Sequence, residues 1–133
     1  MKIGIVGSRK YENKRKIKET IFNLKQKFGD DLIIVSGGNS DGADRYAKKY
    51  ALELDCNYIE VNPAHTQKNL YSYMREDWYQ KEFSIRNFHV RNKILASLVD
   101  RLIAFVPKGT KSAGTDSTLN YTSKFNKKSI IIT

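Results

Sequence analysis

The sequence has little cysteine and no long hydrophobic run. Its single cysteine, Cys56, excludes an internal disulfide and a zinc site built from several cysteines. The longest apolar stretch, LIAFV at 102–106, is about a quarter of the ~20 residues that a membrane span requires. The first residues read as a strand and lack the layout of a signal peptide. We therefore expect a soluble, cytoplasmic protein with no membrane partner.

The sharper sequence motifs for cofactors and metals are absent as well. No GxGxxG follows the first strand, and neither a GxxxxGK[ST] loop nor a GxSxG elbow occurs. His65 and His89 lie 24 positions apart, without cysteines or paired carboxylates at metal-ligand spacing. We therefore expect no metal site and no resident cofactor.

Charge is plentiful and mostly positive. The chain has 24 lysines and arginines against 14 aspartates and glutamates, a net charge of +10. Such a balance favours an anionic partner: a nucleotide, a nucleic acid or a phosphorylated metabolite. The alternative is that lysines spread over helix faces reflect an AT-rich genome and no binding role.

Strand and helix patterns alternate along the chain. Short apolar runs predict strands at 2–6, 32–35, 57–61, 101–106 and 129–133, and helical spacing predicts helices at 14–28, from Asp41, at 88–99 and at 115–125. This order predicts an α/β, Rossmann-like, doubly wound sheet of about five mainly parallel strands with helices on both faces. We expect one domain over 1–133, interrupted by an aromatic-rich insertion at 64–86.

Three loops that follow strands carry the unusual residues: GSRK (7–10), SGGNSDGAD (36–44) and PKGTKSAGTD (107–116). In a doubly wound sheet, ligands bind beyond the carboxyl ends of the strands, at the switch in strand order. The second and third loops lead into helix N-termini, whose free N–H groups favour anions. Gly37 and Gly38 would turn the backbone sharply and leave room for a ligand.

Each of these residues also has a local interpretation. Asp41 and Asp44 are spaced like a helix cap with an acidic partner, although Asp44 could instead accept a hydrogen bond from a ribose hydroxyl. Arg9 could face the anion site or pair with a surface carboxylate. Thr115 is a good helix cap in its own right.

Four segments in this order resemble the SLOG superfamily, and most closely its small stand-alone branch: GSR, VSGG-x3-GAD, VRNKILASLVDRLIAF and GTDSTLNYTSK. Relatives include the Lonely Guy phosphoribohydrolases, the DNA-processing protein DprA and nucleotide-signal sensors. The resemblance implies a pocket for a nucleotide or nucleotide-derived small molecule. By position, it implies a ligand-binding set of Gly7, Ser8, Arg9, Ser36, Gly37, Gly38, Asp44, Arg91, Asn92, Gly114, Thr115 and Thr118.

The chain departs from the family pattern where catalysis would occur. Lonely Guy enzymes use a PGGxGTxxE loop, and here Thr118 stands in the place of its glutamate. Asp116 is two residues early. Because a carboxylate is what stabilises a developing oxocarbenium sugar, plain ligand binding is favoured. The alternatives are an N-glycosidic hydrolase or transferase using Asp116 or Asp44, and DprA-like nucleic-acid binding.

The insertion at 64–86 contributes five aromatic residues: Tyr71, Tyr73, Trp78, Tyr79 and Phe83. They could stack on a base, hold down an irregular excursion, or form a dimer contact. We expect a homo-oligomer, and such a small relative fits a role in a phage or mobile element.

Overall fold

The computed structural model describes all 133 residues. Five strands and four helices alternate in it, with 3-10 turns at Gly29–Asp31 and Glu76–Trp78. The strands are β1 (Lys2–Gly7), β2 (Ile33–Ser36), β3 (Asn57–Glu60), β4 (Arg101–Phe105) and β5 (Lys128–Ile132). The helices are α1 (Lys14–Phe28), α2 (Gly42–Glu53), α3 (Ile85–Leu98) and α4 (Ala113–Lys124).

All five strands form one parallel sheet in the order β3-β2-β1-β4-β5. From β1 the chain builds outward to β2 and β3, and it then returns to the other side of β1 to add β4 and β5. The strand order therefore switches between β1 and β4, where a crevice forms at the carboxyl ends of the strands. This topology confirms the predicted α/β, Rossmann-like fold.

Alternating side chains divide the core into two layers. Ile3, Ile5 and Phe105 face α1 and α2, and they are at most 1% exposed. Val35 and Leu102 face the layer of α3 and α4. Because both faces of the central strands are covered, these strands are apolar throughout, as expected for a parallel sheet.

Helix ends follow local capping chemistry. The α1 helix begins after Asn13, whose Oδ1 accepts from the Lys16 amide at 3.2 Å, and ends at Gly29 with φ 59°, so the predicted bounds are confirmed. The α3 helix begins at Ile85, three residues before the predicted start, because Ser84 caps it by accepting from the Arg86 amide. Residues 85 and 86 therefore belong to α3, not to the insertion.

The excursion (residues 64–84) covers the β3 edge of the sheet. The Glu60 amide donates to the Tyr71 carbonyl at 2.8 Å, and the Tyr73 amide donates to the Glu60 carbonyl at 2.8 Å. Tyr71 also packs edge-on against Tyr58, with ring centroids 5.6 Å apart. An exposed edge strand invites pairing with other chains, and this segment occupies the edge at Glu60, the last residue of β3.

A buried carboxylate anchors the excursion. Glu60 is 1% exposed. Its Oε1 accepts from the Tyr58 hydroxyl and pairs with Lys48 at 3.0 Å, and its Oε2 accepts from Asn62 and Asn69. Burial alone would raise the pKa of Glu60, but these four partners outweigh burial and hold the pKa below its usual value.

The outermost strand β5 leaves apolar side chains exposed. Ile130 and Ile131 are 56% and 60% exposed, although their strand pairs with β4 along its length. Helices lie on both faces of the sheet, as predicted, but they leave part of this strand uncovered. None of the helices is long and apolar enough to cross a membrane.

We predict that Glu60→Gln destabilises the protein by about 3 kcal/mol, because it leaves Lys48 without its buried partner and places an amide N–H₂ among donors. Glu53→Gln is the matched control, since its ion pair with Lys18 is half exposed and worth at most about 1 kcal/mol. Urea unfolding of both variants gives the comparison. Equal losses in the two variants would contradict the anchoring role.

Candidate functional site

A cleft of about 500 Å³ opens at the carboxyl end of the sheet, at the β1–β4 switch. The loops after β1, β2 and β4 and the helices α3 and α4 line it. Ten of the twelve predicted ligand-binding residues line this cleft: Gly7, Ser8, Arg9, Gly37, Asp44, Arg91, Asn92, Gly114, Thr115 and Thr118. The structure thus brings together segments far apart in sequence, and their role in binding stays a prediction.

The first loop is fixed by its backbone. The Ser8 amide donates to the Phe105 carbonyl at 3.0 Å, and the Ser8 carbonyl accepts from the Ala43 amide at 3.2 Å. These bonds join the end of β1 to β4 and to the start of α2. The next two side chains, Arg9 and Lys10, are exposed and line the cleft.

Ser36 and Gly38 lie beneath the cleft and do not line it. The Ser36 hydroxyl is buried against the Tyr58 hydroxyl at 2.6 Å and accepts from the Gly38 amide at 3.2 Å. Gly38 has φ 75°, and a Cβ there would collide with the Asn62 amide. This glycine is therefore required by the turn and by the protein's own side chains.

Gly37 lies directly against two charged side chains. A Cβ at this position would lie 2.5 Å from Arg91 Nη1 and 2.9 Å from Asp44 Oδ2. The sequence predicts that this glycine leaves room for a ligand, but the space beside it is occupied by Arg91 and Asp44. Gly37 is a glycine because the guanidinium must reach its carbonyl.

The Arg91 side chain is held by hydrogen bonds to the protein and is not left free to bind a phosphate. Its Nη1 donates to the carbonyls of Gly37 at 2.6 Å and Val61 at 3.4 Å, and its Nε donates to Asn92 Oδ1 at 2.9 Å. Burial lowers the pKa of Arg91, and the nearby Asp44 opposes this shift. Arg91 remains a cation in the cleft wall, but its main contacts join α3 to the loops after β2 and β3.

Asp44 is the carboxylate of the cleft and is 8% exposed. Its Oδ2 accepts from the Asn39 amide at 3.1 Å. Burial raises the pKa of Asp44 to about 6, against the opposing effects of Arg91, the Asn39 amide and Arg9. The predicted capping pair is not formed, because the Asp41 side chain makes no capping hydrogen bond.

The N-terminus of α4 keeps free amides toward the cleft, whereas at the N-terminus of α2 one first-turn amide is used inside the protein. In α2 the Ala43 amide is already bonded to Ser8. In α4 Ser112 is the cap, accepting from the Thr115 amide at 3.4 Å, so Thr115 is not the cap. The amides of Ala113 and Gly114 have no partner in the chain, and a Cβ at Gly114 would meet nothing within 4 Å.

The remaining predicted residues of α3 and α4 connect these two helices. The Asn92 amide group donates to the Gly114 carbonyl at 3.4 Å, and the Thr118 hydroxyl donates to the same carbonyl at 3.1 Å. Both residues are nearly buried. They therefore position the first turn of α4.

The two predicted catalytic carboxylates are not brought together. Asp116 is exposed and lies with Ser117, Asn120 and Lys124 in a separate shallow hollow on the outer side of α4. Asp44 alone lines the cleft. The prediction that Asp116 faces the ligand is wrong, because its place in the first turn of α4 points it to the opposite side from Thr115 and Thr118.

None of the five aromatic residues of the excursion lines the cleft. Trp78 Nε1 donates to the Asn62 carbonyl at 2.9 Å, and the Tyr79 hydroxyl donates to Asn62 Oδ1 at 3.1 Å. Phe83 is 65% exposed and contacts His65, with ring centroids 4.8 Å apart. Most of these rings hold the excursion down, so the structure favours that interpretation over a base-stacking flap.

The predicted ligand-binding set leaves out eleven of the residues that line the cleft, among them Lys10, Phe88 and Lys111. Phe88 follows Ile85 by one helical turn, and the Ser84 cap would have indicated that helix start. The side chains of Arg9, Lys10, Arg91 and Lys111 set four cations against one carboxylate, Asp44. The cleft therefore carries a local excess of positive charge.

We predict that Asp44→Asn becomes more stable relative to the parent protein as pH rises from 4 to 8. Burial raises the pKa of Asp44 to about 6 in the folded protein, so folding is favoured while this carboxyl group is protonated. Its contribution to stability is complete below about pH 4 and is lost as the pH rises past 6. The difference in the free energy of unfolding should grow by about 3 kcal/mol over this range. Denaturant unfolding at several pH values measures it.

The matched control for this measurement is Asp116→Asn, which removes an exposed aspartate. This variant shows what loss of an aspartate outside the cleft does to stability. A stability difference that does not change with pH for Asp44→Asn would show that the carboxylate of Asp44 is not desolvated.

Comparison with known proteins gives one family and several similar structures. The model of the YAcAr family, described as the YspA, cpYpsA-related SLOG family, matches residues 1–67. No curated protein matches the chain.

Among solved structures, DNA processing protein A from Helicobacter pylori, described with a single-stranded DNA binding mode, has a TM-score of 0.72 at 21% identity. The match covers 98% of this chain and 64% of that one, so the chain spans about two thirds of that protein's length.

Two further structures are of proteins described as carrying or binding molybdenum cofactor. The carrier protein from Chlamydomonas reinhardtii matches with a TM-score of 0.68 at 20% identity, and the binding protein from Rippkaea orientalis with 0.72 at 19%. Each match covers 98% of this chain and 74% of the other. At these identities the similarity shows a shared fold.

Proposed function

The chain belongs to the YspA, cpYpsA-related SLOG family, and we propose that it binds a nucleotide or nucleotide-derived small ligand in the cleft between β1 and β4. The cleft lies at the topological switch point, where doubly wound sheets bind ligands. Its volume of about 500 Å³ falls in the range of small-molecule sites.

The observation that carries the proposal is the charge of the cleft. Four cationic side chains line it against one carboxylate, and the unpaired amides of Ala113 and Gly114 open onto it from the N-terminus of α4. Helix N-termini and guanidinium groups favour phosphate. Arg9, Lys10 and Lys111 are exposed and are not in ion pairs, so they are free to contact an anion.

One wall of the cleft suits a base. Ile85, Phe88 and Leu95 of α3 line it together with Val6 of β1. A flat ring packed against these side chains would leave its phosphate near the cationic loops after β1 and β4. Phe88 is then the ring able to stack on the base, a role that the sequence left open as one alternative for the excursion.

The similar structures suggest the ligand classes to compare. Two are described as carrying or binding molybdenum cofactor, and one as binding single-stranded DNA. Those descriptions concern those proteins. For this chain they support a direct comparison of two candidates, a small ligand and a single-stranded nucleic acid.

Binding is favoured over N-glycosidic hydrolysis. Glycoside cleavage generally uses two carboxyl groups about 5–10 Å apart, flanking the scissile bond. With Asp116 on the outer side of α4, the cleft offers Asp44 alone. A hydrolase would therefore need its second acidic or basic group from the substrate or from another chain.

We predict that adenosine 5′-monophosphate raises the thermal midpoint of the protein, by several degrees at a hundred times its Kd. The double variant Arg9→Ala/Lys111→Ala should bind at least about tenfold more weakly, because two cations of the cleft are lost. Arg15→Ala/Lys16→Ala on α1 is the control, since it removes the same charge from an exposed helix face.

Two results would contradict the proposal. One is the absence of any shift with millimolar mononucleotides. The other is an equal loss of binding in the two double variants, which would mean that net charge rather than the cleft attracts the ligand.

Nucleic-acid binding is the second candidate, because the exposed Lys108 extends the cationic rim formed by Arg9, Lys10 and Lys111. The same titration with a single-stranded oligonucleotide separates the two functions. If the site binds one phosphate, the logarithm of the affinity falls only slightly with the logarithm of the salt concentration. If a nucleic-acid strand crosses the rim and contacts it through several phosphates, the slope is several times steeper. Homo-oligomer formation stays a prediction, and the exposed Ile130 and Ile131 offer one apolar surface for it.

A further inference from the structure

Building on the proposed function, we propose that the ligand carries a sugar hydroxyl beside its anionic group and donates a hydrogen bond from it to Asp44 Oδ1. The ligand class is then a sugar phosphate, ribonucleotides included, rather than an isolated phosphate or a deoxygenated nucleotide.

The geometry of Asp44 leaves one carboxylate oxygen for a ligand. Oδ2 is bonded to the Asn39 amide, and no hydrogen bond from the protein reaches Oδ1. Every fully enclosed side-chain oxygen and nitrogen of the chain has a partner, so Oδ1 is not sealed in the core. Because Asp44 lines the cleft while 92% of its surface is covered, Oδ1 meets the cleft.

Keeping Asp44 Oδ1 without a hydrogen-bond partner is energetically unfavourable for the folded protein. Burying a carboxylate is unfavourable, and the nearest cation, Arg91, is tied to the Gly37 carbonyl and makes no ion pair with Asp44 within 4 Å. A buried acceptor with an unused lone pair is what a site complementary to a hydroxyl requires. The same feature has no use in a site that binds phosphate alone.

The donor on the ligand should be neutral. Arg9, Lys10, Arg91 and Lys111 line the same cleft, and they would repel an ammonium group. A metal ion would need further ligands, and the structure contains no group of three or more histidine, cysteine, aspartate or glutamate side chains able to hold one. A hydroxyl satisfies Oδ1 without adding positive charge.

The position of Asp44 points to a sugar more than to a base. The apolar wall of Ile85 and Phe88 suits a base, and the exposed Arg9, Lys10 and Lys111 suit a phosphate. Asp44 is more buried than these three cations and lies beside Arg91 and Gly37 in the cleft wall. In a nucleotide the sugar joins the base to the phosphate, so its hydroxyls are the donors available between the two walls.

The test compares adenosine 5′-monophosphate with its 2′,3′-dideoxy analogue by calorimetric titration at pH 8, where Asp44 is ionised. Both probes carry the same phosphate and base. They therefore experience the same charges around Asp44, which come from Arg9, Arg91 and Glu60, and the same contribution from the nearby His89. The parent protein should bind the ribonucleotide about ten- to a hundredfold more tightly, as for a hydrogen bond to a charged group.

Asp44→Asn should bind the two probes within about threefold of each other, because a neutral amide oxygen is a weaker acceptor. Its carbonyl can still accept from Asn39, and the pH series described above shows whether the variant is folded. Asp116→Asn should keep the full preference of the parent protein.

Each outcome decides the proposal. If the parent protein binds the two probes equally, the hydroxyl contact is overturned and the proposed function still stands. This measurement needs no variant. A preference that survives in Asp44→Asn also overturns the hydroxyl contact and leaves the proposed function standing. If neither probe binds at millimolar concentration, the proposed function fails and the hydroxyl contact fails with it.

Discussion

The hydrogen bond from Arg91 to the Gly37 carbonyl, 2.6 Å long, is the contact on which the cleft depends. It connects α3 with the loop after β2 across the switch in strand order. The two residues are 54 positions apart in the sequence. The requirement for glycine at position 37 and the position of Asn92 follow from it. Asn92 in turn bonds to Gly114 and sets the open N-terminus of α4.

A second buried charge supports the same region from below. Glu60 collects Tyr58, Asn62, Asn69 and Lys48, and through Tyr58 it reaches Ser36 under the glycine turn. Such a network is costly unless every member is satisfied, and here every oxygen has a partner. The turn at Gly38 is therefore held from below by a fully bonded network, while Arg9, Lys10 and Lys111 at the rim of the cleft remain exposed to solvent.

Much of the fold follows from pattern alone. The α1 bounds come directly from Ile17 and Ile21 at helical spacing, a cap at Asn13 and a stop at Gly29, all of them local signals. The five strands are apolar runs between turns, and their alternation with helices admits few topologies. The rim of the cleft was predictable for the same reason, since parallel strands end on one side.

Side-chain direction was not predictable in this way. Whether Asp116 or Thr118 faces the cleft depends on the phase of α4, which Ser112 sets by capping at an earlier residue than Thr115. Arg91 looks like a phosphate ligand in sequence, yet its partners are carbonyls supplied by two distant loops. Three aromatic residues of the excursion, Tyr71, Trp78 and Tyr79, turn inward because Asn62 and Tyr58 offer them contacts that no local pattern reveals.

The most direct test of the cleft as the ligand site is an NMR titration of the ¹⁵N-labelled protein with adenosine 5′-monophosphate. The account predicts that saturable amide shifts concentrate at residues 8–10 and 111–115, the two cationic loops that flank the β1–β4 switch. Shifts concentrated in the excursion around Met74 and Trp78, where a separate hollow lies, or no shifts at millimolar ligand, would contradict it.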